Sequence, residues 1–163
     1  MPQKNILLLG DSIRQNYDKY VQEKMRGYAD VYYPNDNGRF CLYTLRYLHE
    51  WVYTLSMHNS IPFHAVHFNC GLWDVLRLSN EDNTFTSEKD YAKFLQRIID
   101  RIKYLCPGAA IYFALTTEII EPGFEPGISN GLRKNSDIRR FNEIATEICT
   151  INNIPVDDLW NFS

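Results

Sequence analysis

The stretch NILLLGDSIRQNY, residues 5–17, decides how this chain is read. Four apolar residues run into Gly10-Asp11-Ser12, and a polar, helix-compatible segment follows. Ser12 then has two readings. It is a nucleophile presented at the end of a buried strand, or it is the cap of the next helix. Ser and Asp both favour the N-cap position, where their side chains accept a bond from an unpaired backbone N–H. Three letters do not separate these readings, and the surrounding pattern has to.

Outward from this stretch, apolar runs of strand length alternate with longer runs of helical period. Strands are expected over 5–10, 28–34, 64–71, 109–116 and 154–160. Between them, residues 14–27 form a helix with Tyr17, Tyr20, Val21 and Met25 near one face and Gly27 as its stop. A second helix covers 41–57, with Leu45, Leu48, Val52 and Leu55 at helical spacing. Ser87 and Asp90 resemble a capping box that opens a third, with Tyr91, Phe94, Leu95, Ile98, Ile102 and Leu105 inward. A fourth covers 136–152, placing Ile138, Phe141, Ile144, Ala145 and Ile148 on one side. The alternation implies one domain over 1–163, of α/β class: a three-layer α/β/α, flavodoxin-like fold with a five-stranded, mostly parallel sheet in the order 2-1-3-4-5. Ligands of such sheets bind outside the carboxyl ends of the strands, here just after residues 9, 34, 69 and 115.

Composition narrows the function. The 163 residues are 45% hydrophobic and 23% charged with a net charge of −3, so neither nucleic acid nor an anionic membrane is an expected partner. The opening MPQKNILLLGD has too short an apolar run for a signal peptide, and no stretch is long enough to span a bilayer. Cys41, Cys70, Cys106 and Cys149 form no C-x-x-C pair and read as reduced thiols, which points to a cytoplasmic protein. No two His, Cys, Asp or Glu residues fall at zinc-site spacing, and the glycines and lysine of a dinucleotide or Walker loop are missing. No metal or cofactor is therefore expected.

Residues of chemical interest sit at three of the four strand ends. Ser12 begins a helix whose positive dipole end would stabilise negative charge at its hydroxyl. Gly38, after the second strand, lets a backbone N–H approach a ligand. FNCGLWD, after the third, supplies Asn69, Gly71 and Asp74. A backbone N–H together with an Asn amide is a common way to build an oxyanion hole.

LLLGDSI, the glycine after strand two and FNCGLWD after strand three resemble the SGNH/GDSL hydrolase family in order, spacing and strand context. The stretch NSDIRRFNEIATEICTINNIPVDDLW, including Asn142, is similar to that family's penultimate helix and last strand. The resemblance implies hydrolysis of a carboxylic ester, with an acyl group on a sugar or lipid. Ser12 would attack the carbonyl, the N–H groups of Ser12 and Gly38 and an Asn amide would hold the oxyanion, and Asp11, Gly71 and Asp74 would support them.

Two departures matter. Where the family commonly reads Gly-x-Asn-Asp, this chain has Gly71-Leu72-Trp73-Asp74, so Asn69 is the nearby amide that could substitute. Asn69 is otherwise a structural residue closing its strand, and Trp73 is a groove wall or a core aromatic. The family's Asp-x-x-His block is also missing: Asp157 and Asp158 are followed three residues later by Trp160 and Asn161. His49, His58, His64 and His67 lie on the second helix, its end or the third strand, away from the place of a triad base. Three readings follow: an ester hydrolase lacking its last block, a binding module for a glycan or acyl ligand on the same fold, and a flavodoxin-like phosphate binder with only Arg14 in its support. Four helices for five strands leave one sheet face under-covered, to be buried by a second copy in a homodimer or by an absent segment.

Overall fold

A computed structural model describes residues 4–57, 61–121 and 131–162. The elements run β1 (Lys4–Leu9), α1 (Ser12–Lys24), β2 (Ala29–Tyr32), α2 (Cys41–Met57), β3 (Ala65–Phe68), β4 (Arg77–Leu78), α3 (Glu88–Leu105), β5 (Ala110–Ala114), β6 (Gly131–Leu132), α4 (Asn135–Ile151) and β7 (Val156–Asp157). Five of the strands form one sheet in the order β2-β1-β3-β5-β7. Every neighbouring pair in it is parallel. This is the expected 2-1-3-4-5 arrangement, with helices on both faces.

Side-chain alternation along the strands assigns those faces. Leu7, Leu9, Val66, Phe68, Ile111 and Phe113 are buried on one side of the sheet. They meet α3 and its two neighbours, since α3 packs on both α2 and α4. The inward residues of α3 are Tyr91, Leu95, Ile98, Ile99 and Ile102, and the Ser87 hydroxyl caps the helix by accepting the Asp90 N–H. Burying one such apolar side chain stabilises the fold by about 1.5–3 kcal/mol.

The opposite face is different. α1 packs on β1 and β2. Its buried residues are Arg14 and Asp18, while Tyr20 is 62% exposed. Of the expected Tyr/Val/Met face, Tyr17, Val21 and Met25 are half-buried, and the fully buried positions hold an internal ion pair of 2.7 Å. Arg14 also donates to the Asp36 carbonyl at 2.6 Å, so this pair fastens α1 to the loop after β2. Beyond α1, no other helix among the described residues packs on the face over β3 and β5. Tyr112, level with His67 in the sheet, is 41% exposed.

One feature lies outside the expected plan. β4 and β6 form an antiparallel ribbon above the strand ends. Arg77 of β4 grips Asp137, in the first turn of α4, through two bonds of 2.7 and 2.9 Å. A Cβ at Gly131 would stand 2.1 Å from the Arg77 carbonyl oxygen, so the two strands can approach this closely only with glycine there.

Candidate active site

The junction of β1 and α1 settles which residue caps the helix. Asp11 is fully buried, and its carboxylate accepts the Ile13 N–H at 2.9 Å. It is the N-cap. Ser12 is the first helical residue and is exposed, with its hydroxyl not used as the cap. At that position the backbone N–H has no partner within the helix. Gly10 makes the turn at φ +154°, where a Cβ would lie 1.9 Å from Asn69 Oδ1.

The loops after β2 and β3 close on this turn. Asn69 donates its backbone N–H to the Leu9 carbonyl at 3.2 Å and its amide to the Asp11 carboxylate at 3.2 Å. Gly38 donates its N–H to the Gly10 carbonyl at 2.9 Å. Its own carbonyl accepts the Thr44 hydroxyl at 2.7 Å. Ser12, Gly38 and Asn69 thus meet around residues 10–12. Gly38 arrives with its N–H already engaged, because the end of β1 has a carbonyl to satisfy. Asp11 Oδ2 and Asn69 Oδ1 are buried without a partner. Burial raises the Asp11 pKa. The Ile13 N–H, the Asn69 amide, Arg133 and Arg14 oppose that rise.

Gly71 and Asp74 lie beneath this rim. The Gly71 carbonyl accepts the N–H groups of Asp74 and Val75 at 3.0 and 3.1 Å. Asp74 is fully buried and accepts the Cys41 N–H at 3.0 and 3.1 Å on its two oxygens. The Thr86 hydroxyl adds a bond of 2.8 Å. Desolvation pushes its pKa up to about 6, against those donors. Asp74 is therefore a strut that caps α2 from another part of the chain. Asn142 is a strut as well, exchanging bonds of 3.0 and 2.9 Å with the Thr116 backbone beyond β5.

Arg133 is the residue that sequence reading missed. Its Nε donates to the Leu72 carbonyl at 2.6 Å. Its guanidinium carbon lies 5.8 Å from the centre of the Trp73 ring. Burial lowers its pKa, and the charge of Asp11 acts against that. Trp73 is half-buried and so is not a core aromatic.

Each described histidine is engaged elsewhere. His49 stacks on Tyr53, and His64 Nδ1 accepts the Asn5 N–H at 3.0 Å. His67 lies between Asp157, 3.2 Å from Nε2, and Tyr17, 3.5 Å from Nδ1. His58 and residues 122–130 lie outside the described residues. Among the described residues no cluster of three or more His, Cys, Asp or Glu could hold a metal ion. No helix among them is long and apolar enough to cross a membrane.

The architecture has solved counterparts. A Streptococcus pneumonia protein assigned as a platelet activating factor superposes with TM-score 0.73 at 17% identity, over 98% of this chain and 67% of that one. The Mycobacterium (M. smegmatis) aryl esterase gives TM-score 0.69 at 13% identity, over 95% and 83% of the two chains. A Parabacteroides merdae protein assigned as a GDSL-like lipase gives 0.67 at 10%, over 98% and 79%. The chain has the SGNH/GDSL hydrolase fold. At these identities the likeness concerns the fold. No protein-family profile matches the sequence, and no curated protein does. Ser12, Gly38 and Asn69 each lie past the carboxyl end of a parallel strand, β1, β2 and β3 in turn.

Proposed function

We propose that this chain is an ester hydrolase of SGNH type, acting on the acyl ester of a small molecule or carbohydrate, with Ser12 as nucleophile. One observation carries the reading: Asp11 serves as the helix cap, so Ser12 stands exposed past the end of β1 with its hydroxyl free of that duty. The helix dipole and the unpaired N–H of Ser12 favour the negative charge that develops on the carbonyl oxygen during attack. An amide nitrogen carries two hydrogens, and Asn69 gives one to Asp11, so its second would complete the oxyanion hole. Gly38 would join by sharing its N–H between the Gly10 carbonyl and the oxyanion.

A second reading has its own support. The described histidines are held away from Ser12, and a serine hydroxyl without a base is a weak nucleophile. On that reading the same groove binds a glycan or acyl ligand without turnover. The 163-residue chain is accordingly expected to be slow, at the ~10³–10⁴-fold over water that remains when a triad member is lost. Nitrophenyl acetate hydrolysis by this chain and by Ser12→Ala tests both readings. A rate that falls with the substitution means that a base reaches Ser12 and supports the hydrolase, since the residual rate left by binding and the oxyanion hole alone does not depend on the serine. A rate unchanged by it leaves the binding module.

A further inference from the structure

We propose that Cys41 and Cys70 are a disulfide site, closed by exchange with a small-molecule disulfide, and that the bond staples together the two loops that meet at the Ser12 turn. The inference goes beyond the ester-hydrolase reading and does not rest on it, since the bond is read without turnover.

Both thiols are free and buried, and their sulfurs lie 3.0 Å apart, with Cys41 Sγ donating to Cys70 Sγ. A disulfide has a separation of about 2.05 Å, so the sulfurs have about 1 Å left to close. Each backbone is anchored beside the pair. Cys41 gives its N–H to both oxygens of Asp74, and the Cys70 carbonyl accepts the Tyr91 hydroxyl at 3.0 Å. These anchors hold the sulfurs face to face, which removes most of the entropy cost of joining them. Cys41 opens α2, three residues after Gly38, and Cys70 directly follows Asn69. A bond between them therefore ties the loop that carries Gly38 to the loop that carries Asn69. Burial pushes the Cys41 thiol well up; at Cys70 the Cys41 hydrogen bond acts downward, yet burial with Asp74 and Asp11 leaves that thiol raised too. The attacking form is the thiolate, so exchange runs through openings of the fold that admit the oxidant. Cys70 accepts the S–H of its partner, which favours charge on its sulfur, and it attacks the small disulfide RSSR first. That step forms a mixed disulfide and releases RS⁻, which takes the proton Cys70 gave up. The Cys41 thiolate then attacks the Cys70 sulfur, forms the Cys41–Cys70 bond and expels the second RS⁻, which takes the Cys41 proton. Two electrons pass from the pair to RSSR, which leaves as two thiols. The competing role is a packing contact between two thiols that never bond.

The experiment incubates the full chain with excess oxidised glutathione in dilute urea, enough to let the fold open and reclose. After acid quenching, free thiols are counted in guanidinium and unreduced peptides are mapped by mass spectrometry. The count is expected to fall from four to two, with one linked pair of peptides joining Cys41 to Cys70. Dithiothreitol should restore all four thiols. Returned to buffer, the bridged chain should melt roughly 5–15 °C above the reduced one, the scale for a bond between residues 29 positions apart. Oxidised in guanidinium instead, where the fold is lost, the chain should spread its bonds over all four cysteines. Four free thiols after the urea incubation, or glutathione left on Cys41 or Cys70, would make the pair a packing contact and overturn the proposal. A bond from either residue to Cys106 or Cys149 overturns it as well. So does an equal preference for Cys41–Cys70 in guanidinium, because the fold would not be directing the bond. A bridged chain that melts no higher than the reduced one overturns it too, since a bond that strains the fold staples nothing. Nitrophenyl acetate turnover is a separate measurement, so failure here leaves the hydrolase reading standing, and failure there leaves the disulfide site.

Discussion

Asp11 and Asp74 are buried carboxylates that hold backbone N–H groups at the starts of α1 and α2, and both have raised pKa values because burial disfavours their charge. For Asp74 the sign of the pH effect follows directly. Its pKa is about 6 in the fold against 3.8 unfolded, so the unfolded chain loses this proton first as pH rises. The stabilisation that Asp74 gives is then fully present below about pH 4 and lost through pH 6, with a ceiling of about 3 kcal/mol. Asp74→Asn keeps an acceptor for Cys41 and removes the titration. Urea unfolding should show the variant gaining on the parent chain as pH rises from 4 to 7, and a constant difference would refute the assignment. Ser12, Gly38 and Asn69 could be located from sequence because the strand-end rule needs only the apolar runs before them. Arg133 could not, since it binds the Leu72 carbonyl from sixty-one residues further along the chain. The bonding of Asp74 to Cys41 and Thr86 was equally hidden, because nothing local marks those two residues as its partners.

At the level of elements, strands and helices with strong periodicity were readable and those without it were not. Of the six residues the α3 pattern places inward, the structure buries Tyr91, Leu95, Ile98 and Ile102 and leaves Phe94 and Leu105 half-buried. For α1 the same logic fails, because its inner face is the Arg14–Asp18 pair and charged residues read as solvent-facing. The β4–β6 ribbon has two residues per strand, too few to show any alternation. Its closeness depends on Gly131, which makes it separable from the main sheet. In Gly131→Ala the ribbon should part locally, so amide exchange at residues 77, 78, 131 and 132 should accelerate while β1 and β3 keep their protection. Uniform acceleration across the chain would mean that the ribbon is part of the cooperative core.

At the scale of the whole molecule, among the described residues three helices lie on one face of the sheet and α1 covers part of the other. The open part is less apolar than helix counting implied: it carries His67 and Asp157 in contact, beside half-exposed Tyr112. We propose that a second copy of the chain covers it. Sedimentation should then reveal a concentration-dependent dimer that Tyr112→Lys shifts to monomer, and a single monomeric species at all concentrations would dismiss it. The parallel order of the strands has a further consequence. Because all five point the same way, the molecule has a front and a back. Ser12, Asn69 and Arg133 belong to the front, whereas the turns at Gly27 and Gly108 lie at the back with open space around them. A tether, tag or surface joined at either turn would leave the mouth facing outward and unobstructed, so the protein can be oriented on a support by choosing the turn alone.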